Sequence, residues 1–220
     1  MGRDIQAFLF DLNGTMIDDM QYHIHAWDHM LNRELKAGLS LAQVKEQMYG
    51  KNTELLERVF GKGHFSQHDM DRLSLEKEKR YQTAFFPELK LINGLSVFLD
   101  QSQQHHKAMA IGSAAIPFNI DFVLDNLHIR PYFQAIVSAD DVSVSKPDPE
   151  TYLKAARMLG KEPATCIVFE DAPKGVESAL RAGMSCVALT TMHDREDFAN
   201  YPNILHIVAD YTDPALQALF

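Results

Sequence analysis

Ile5-Gln6-Ala7-Phe8-Leu9-Phe10-Asp11-Leu12-Asn13-Gly14-Thr15 is the stretch on which the fold turns. Ile5–Phe10 is a short apolar run that stops at Asp11 and Gly14, as a buried strand does when it enters a loop. Similar runs recur at Ala108–Ile111, Ala135–Ser138, Cys166–Phe169, Cys186–Leu189 and Ile204–Val208. Amphipathic stretches such as Thr151–Leu159 and Gly175–Ala182 lie between them. Buried strands alternating with helices predict a doubly wound, Rossmann-like α/β core. Its sheet is expected to be mostly parallel, with right-handed crossovers and helices on both faces.

Residues 19–86 break this rhythm. They hold no convincing strand and are far longer than a usual βα loop of ~2–6 residues. Met20, Ile24, Trp27 and Leu31 are spaced four, three and four apart, which makes one apolar helix face. Leu55, Leu56 and Val59 make a second, and Leu73–Tyr81 belongs to a third helix. The expected organisation is a core of residues 1–18 and 87–220 with a helical cap of residues 19–86 inserted after the first strand. Its hinges are expected near Ile17–Asp19 and Phe86–Leu89. An insertion there lies at the carboxyl ends of the strands, where open α/β sheets bind ligands, so it is a lid by position.

The chain has 220 residues, enough for one sizeable core and a smaller module, and its 46% apolar content is ordinary for a globular protein. Lys and Arg number 21 against 30 Asp and Glu, a formal charge of −9. On average such a surface repels nucleic acid and anionic lipid, so neither is an expected partner. No apolar run approaches the ~20 residues that span a bilayer. Met1-Gly2-Arg3-Asp4 lacks a signal stretch, and Gln6 stands where a myristoylation signal wants Ser or Thr. Cys166 and Cys186, the only cysteines, both sit in apolar strand-like runs and read as buried reduced thiols. A cytoplasmic protein is expected.

The strand ends carry the chemistry. The first delivers Asp11, the next Gly112-Ser113-Ala114-Ala115, then come Ser145-Lys146-Pro147-Asp148-Pro149 and Glu170-Asp171-Ala172-Pro173-Lys174-Gly175. Each has an ordinary explanation when taken alone. Asp11 suits a turn, Ser113 an N-cap, Lys146 a solvated loop, and Glu170-Asp171 a surface pair before a helix. Together they supply a nucleophilic carboxylate, a hydroxyl, an ammonium and an acidic pair on one rim. Phosphoryl transfer needs that inventory: a carboxylate to attack phosphorus, a divalent ion to screen repulsion, and donors for the equatorial oxygens.

In that order the four segments resemble the four motifs of the haloacid dehalogenase-like superfamily, within it the β-phosphoglucomutase-like branch. The resemblance covers essentially the whole chain, and Phe169–Met184, F-E-D-A-P-K-G-V-E-S-A-L-R-A-G-M, is especially typical. It implies an Mg²⁺-dependent phosphatase, or else a phosphosugar mutase, acting on a small phosphorylated metabolite, a sugar phosphate foremost. Asp11 would form an aspartyl-phosphate, Ser113 with its neighbours Gly112 and Ala114 would bind the phosphoryl group, and Lys146 would neutralise that group and the nucleophile. Asp171 and Glu170 would hold Mg²⁺ with the Asp11 carboxylate and the backbone carbonyl of Asn13, and Thr15 would support the loop and the phosphoryl group. Oxygen-only ligands suit a hard ion such as Mg²⁺ better than zinc. In the cap, His23 and Trp27 fall where relatives begin theirs, Lys51 falls in the specificity loop Tyr49-Gly50-Lys51-Asn52, and Lys77 falls where several relatives carry a lysine. The residues themselves leave other readings open: a solvated helix residue for His23, a surface lysine after a helix-ending glycine for Lys51, and a charged helix face, Glu76–Arg80, for Lys77. A monomer is the family's usual state.

One position departs from the pattern. Relatives place Asp two residues after the nucleophile, where it protonates the leaving oxygen; here that residue is Asn13. An amide does not carry out acid–base work at neutral pH, and such help is typically worth ~10²–10⁴-fold. Three explanations fit: a substrate with a good leaving group, another proton donor such as His23, or a phosphometabolite-binding protein with weak turnover. Other constellations fail. The ten histidines show no metal-ligand spacing, Gly61-Lys62-Gly63 lacks the spacing of a phosphate loop, and the scattered methionines suit core packing.

Overall fold

The computed structural model describes residues 4–220, so the readings drawn from Met1-Gly2-Arg3 lie outside the described residues. The chain divides into two compact units, one of Asp19–Leu89 and one of the residues before and after it, up to Asp18 and from Lys90.

The discontinuous unit is a six-stranded sheet. Its strands are β1 (Ala7–Phe10), β2 (Ala108–Gly112), β3 (Ala135–Val137), β4 (Cys166–Glu170), β5 (Ser185–Leu189) and β6 (Ile204–Val208). Their order is β3-β2-β1-β4-β5-β6, and every pairing is parallel. Each apolar run quoted above is one of these strands. The first begins at Ala7 rather than Ile5, and Ser138 leaves the third to start a short 3₁₀ turn in which its hydroxyl donates to Asp141. Parallel strands buried on both faces read as unbroken apolar runs, which is why they were visible.

Alternate side chains of β1 build two half-cores. Ala7 and Leu9 pack with Val137, Val168 and residues of two helices, Glu150–Met158 and Pro173–Arg181. Phe8 and Phe10 face the other way, into Phe98, Phe169 and Tyr211, with Phe10 stacked on Phe169 at 4.9 Å. Phe98 comes from the helix Leu95–Gln104. Helix Pro117–Asn126, like Pro173–Arg181, starts with proline in its first turn, where the missing N–H costs nothing. Both cysteines are buried free thiols.

The contiguous unit is helical. Its α-helices are Met20–Asp28, Leu41–Glu46, Asn52–Phe60 and Gln67–Phe85; in chain order they are α1 to α4, and the four of the sheet unit are α5 to α8. Ser40 and Gln43 close a reciprocal capping box on α2. The first apolar face holds Ile24, Trp27 and Leu31 buried as its spacing predicts, but the helix changes character under it. After Asp28 the chain runs as a π-helix, His29–Glu34, and the Asn32 amide reaches both Asp28 and the Leu39 carbonyl. No described helix is long and apolar enough to cross a membrane.

Candidate active site

The sheet order places a switch point beside β1, whose neighbours β2 and β4 lead off in opposite directions. Ligands of open α/β sheets lie at the carboxyl ends of strands flanking such a point. Asp11 follows β1 there, and its N–H donates to the Phe169 carbonyl at 3.0 Å, which ties it to the end of β4. The loop then doubles back: Gly14 N–H donates to the Ile17 carbonyl at 2.8 Å, and Met16 N–H to the Leu12 carbonyl at 2.8 Å. Gly14 has φ +72°, and a Cβ on it would stand 2.0 Å from Asp171 Oδ2. Only glycine lets this backbone lie against that carboxylate.

Asp11, Glu170 and Asp171 each put one carboxylate oxygen within 4.8 Å of the others, and all three are buried. Lys146 Nζ donates to Asp11 Oδ1 at 2.7 Å and to Glu170 Oε1 at 2.6 Å. Burial opposes its charge, but the carboxylates of Asp11 and Glu170 outweigh burial and raise its pKa. One ammonium against three carboxylates leaves the cluster short of positive charge. The consequence appears at Asp171, where burial and then the Glu170 and Asp11 charges push the carboxyl well above its ordinary range. Oxygen donors with surplus negative charge fit a hard divalent cation, and the Asn13 backbone carbonyl belongs to the same loop.

Thr15 touches Asp171, its hydroxyl 3.4 Å from Oδ1. Ser113 is buried, and its hydroxyl accepts from the Ala115 N–H at 3.1 Å. It does not cap the following helix, since that position is held by Ile116. Gly112 ends β2, close to the ring of Tyr152, and Ala114 is half-buried beyond it. Sequence reasoning missed three residues that tighten this region. The Thr191 hydroxyl donates to the Gly14 carbonyl at 2.5 Å, the Tyr211 hydroxyl to the Thr15 carbonyl at 3.1 Å, and the Tyr152 hydroxyl to Glu170 Oε1 at 2.6 Å. The one available signal was a phenol at a core position, because a buried tyrosine hydroxyl needs a partner.

Within the helical unit His23, Trp27 and Lys77 come together. Lys77 Nζ sits 2.6 Å from Glu78 Oε1 and 3.0 Å from His23 Nδ1, and 5.2 Å over the Trp27 ring. His23 stacks on Tyr81 at 3.7 Å, and the Tyr81 hydroxyl donates to Asp19 Oδ2 at 2.5 Å. Lys77 and Glu78 are thus buried, not part of a solvated charged face; that face is Arg72 with Glu76. His23 is likewise buried rather than solvated. Desolvation opposes the Glu78 charge, but Lys77 first and His23 next draw its pKa down to about 2. Lys51 precedes α3, whose Asn52 amide donates to Glu78 Oε1 at 2.7 Å; the Lys51 N–H donates to Glu54 Oε2 at 2.9 Å, and Gly50 precedes it at φ +74°.

A doubly wound parallel sheet with buried carboxylates gathered beyond its switch point is a Rossmann-like α/β fold with its candidate site at the strand ends. The sequence profile of the haloacid dehalogenase-like hydrolases matches residues 8–189, and the chain belongs to that family. It is 32% identical over 194 residues to validoxylamine A 7'-phosphate phosphatase of Streptomyces hygroscopicus subsp. limoneus, covering 87% of this chain and 88% of that one. It is 30% identical over 201 residues to β-phosphoglucomutase of Bacillus subtilis, covering 84% and 83%. A family IA haloacid dehalogenase hydrolase from Entamoeba histolytica superposes with a TM-score of 0.87 at 26% identity, over 98% of this chain and 97% of that one.

Proposed function

We propose that this hydrolase is an Mg²⁺-dependent phosphatase for a small phosphorylated metabolite, foremost a sugar phosphate, and that it works through a phosphoryl group carried on Asp11. The observation that carries the reading is the Lys146 ammonium on Asp11 Oδ1, inside a cluster that still lacks positive charge. By their names the phosphatase acts on validoxylamine A 7'-phosphate and the mutase on a phosphoglucose, which supports a small phosphorylated metabolite as substrate. An Asp11 carboxylate oxygen attacks phosphorus, the P–O bond to the substrate breaks, and the alcohol oxygen departs. Water then attacks the aspartyl-phosphate: its oxygen joins phosphorus, the Asp11 carboxylate leaves, and one of its protons passes through solvent to complete the departed alcohol. Lys146 holds Asp11 in line and offsets the charge that gathers on the phosphoryl oxygens, while Ser113 and the N–H groups near it receive one of them. Asp11, Glu170, Asp171 and the Asn13 carbonyl would hold Mg²⁺, which would supply Lewis-acid screening between the two anions.

Asn13 favours a second reading beside this one. With an amide where relatives protonate the leaving group, the chain acts on esters that leave without a proton, or it binds a phosphometabolite and turns it over slowly. Release of phosphate from an aryl phosphate, with and without chelator, in wild type and Asp11→Ala, tests the function. Turnover that survives either perturbation in a folded protein removes the proposal, and turnover of aryl but not alkyl esters selects the leaving-group account.

A further inference from the structure

The turn after Asp11 is held at its near end by backbone and at its far end by two hydroxyls from distant strands. Asp11 N–H donates to the Phe169 carbonyl at 3.0 Å, and Met16 N–H closes the turn on the Leu12 carbonyl at 2.8 Å. The Ile17 carbonyl accepts from Gly14 N–H at 2.8 Å, and the Met16 carbonyl from Ile92 N–H at 2.9 Å. The carbonyls of Gly14 and Thr15 accept from side chains. The Thr191 hydroxyl meets the first at 2.5 Å and the Tyr211 hydroxyl meets the second at 3.1 Å.

Thr191 lies just past β5 and Tyr211 just past β6, and in the sheet order β4 stands between those strands and β1. Both donors are themselves confined. Thr190 N–H donates to the Val208 carbonyl at 3.0 Å, which joins the ends of β5 and β6 beside Thr191. The Tyr211 ring stacks on Phe169 at 5.6 Å, and its N–H donates to the Asn93 carbonyl at 3.0 Å. Behind it the Gly94 backbone is so close that a Cβ there would stand 2.7 Å from the Tyr211 carbonyl carbon. A carbonyl held in direction fixes its whole peptide plane. Gly14, at φ +72°, has no side chain to restrain it, so Thr191 supplies the restraint from outside. With both planes fixed, the turn cannot pivot about the Asp11 N–H, and the Asp11 carboxylate keeps its place.

We infer that Thr191 and Tyr211 are positioning residues for the nucleophile, holding the turn Leu12–Met16 so that Asp11 presents its carboxylate in one geometry. The inference rests on the proposed function for its kinetic arm alone. With an aryl phosphate as substrate, Thr191→Val and Tyr211→Phe are each expected to lower kcat about 10-fold or more, with KM inside about threefold of wild type, because in-line attack tolerates little misplacement. Thr191→Ser keeps the hydroxyl and is expected to bring kcat back to within about threefold of wild type. Both hydroxyls hold one turn, so the double variant T191V/Y211F is expected to lose less than the product of the single losses. A purely stabilising contact would lower Tm in Thr191→Val through the unpaired carbonyl and leave kcat of the folded enzyme within about twofold of wild type. That result, a multiplicative double loss, or no recovery in Thr191→Ser overturns the inference. Amide exchange followed by nuclear magnetic resonance needs no turnover. In Thr191→Val the N–H groups of Gly14 and Met16 are expected to exchange about tenfold faster or more than in wild type, with Phe8 and Val168 in the strands unchanged. Wild-type protection at Gly14 and Met16 also overturns it. If Asp11→Asn is as active as wild type, the proposed function falls, and the exchange rates still decide whether the hydroxyls hold the turn.

Discussion

Replacing Lys146 by Met keeps most of the stem and removes the one ammonium among three buried carboxylates. Its Nζ lies 2.7 Å from Asp11 Oδ1 and 2.6 Å from Glu170 Oε1, with side-chain exposures of 10%, 11% and 2% for the three residues. At an effective dielectric of about 20, two unit charges at ~2.7 Å interact by about 6 kcal/mol, an upper bound before desolvation is charged against it. Removing one partner of a buried pair costs about 3–5 kcal/mol in practice, because the other charge stays buried without compensation. For a chain this size, each kcal/mol moves Tm by roughly 2–4 °C, so Lys146→Met is expected to melt ~6–20 °C below wild type. Far-UV circular dichroism follows both units, while Trp27, the one tryptophan, reports the helical unit by fluorescence. The loss is therefore expected in the dichroism transition and not in the fluorescence transition. Adding Mg²⁺ restores positive charge to the carboxylates, so it is expected to raise Tm more in the variant than in wild type. A loss below about 1 kcal/mol in urea unfolding, with no extra Mg²⁺ effect, would refute the charge argument, since the pair would then rank with exposed ones.

Asn13→Asp is expected to speed hydrolysis of alkyl phosphates by about tenfold or more and to leave aryl phosphates nearly unchanged, because an alkoxide benefits from a proton and a phenolate does not. Equal acceleration of both esters in steady-state assays goes against the leaving-group explanation. The Glu78 carboxyl is drawn down from its ordinary 4.5 to about 2 in the fold, so its contribution is present above pH ~4.5 and disappears as pH falls toward 2. Glu78→Gln is thus expected to cost about 3 kcal/mol at pH 7, read by Trp27 fluorescence in urea, with the gap closing in acid; a gap independent of pH contradicts the pairing with Lys77. Gly14→Ala forces φ +72° on an L-residue and drives its Cβ to 2.0 Å from Asp171 Oδ2, so it is expected to cost about 1–3 kcal/mol and to weaken divalent-ion binding in calorimetry. Wild-type ion affinity in that variant sinks the account of the loop.

The sheet was legible because burial on both faces leaves its mark on single short segments. Phe8 and Phe10 are apolar for one half-core, and Ala7 and Leu9 for the other, so the run needs no partner to be recognised. The acidic and basic strand ends were legible for the same reason, as abrupt polar stops to apolar runs. What stayed hidden depends on neighbours distant in sequence. Tyr152 sits in an amphipathic helix where any large apolar residue would satisfy the pattern, and its hydroxyl acquires meaning from Glu170. Thr191 and Tyr211 follow the last two strands and reach back to carbonyls at Gly14 and Thr15, a contact without local signature. Lys77 and Glu78 lie in a run of charges that looks solvated, since alternating signs along a helix do not say which pair is covered. The π-helical turns at His29–Glu34 were invisible because Leu31 keeps its apolar place through them.

The strand order carries a consequence for how the chain is made. β1 is complete at Phe10, yet one of its partners, β4, begins at Cys166. As the polypeptide leaves the ribosome, the central strand must wait with one hydrogen-bonding edge unmatched until three quarters of the protein is synthesised. The helical unit is continuous in sequence and complete once Leu89 has been added, which favours its folding before the sheet. Nascent chains stalled near Lys161 are therefore expected to resist protease across Asp19–Leu89 while the flanking segments are cut. An insertion beside the first strand thus gives the emerging chain a folded body before its sheet can close.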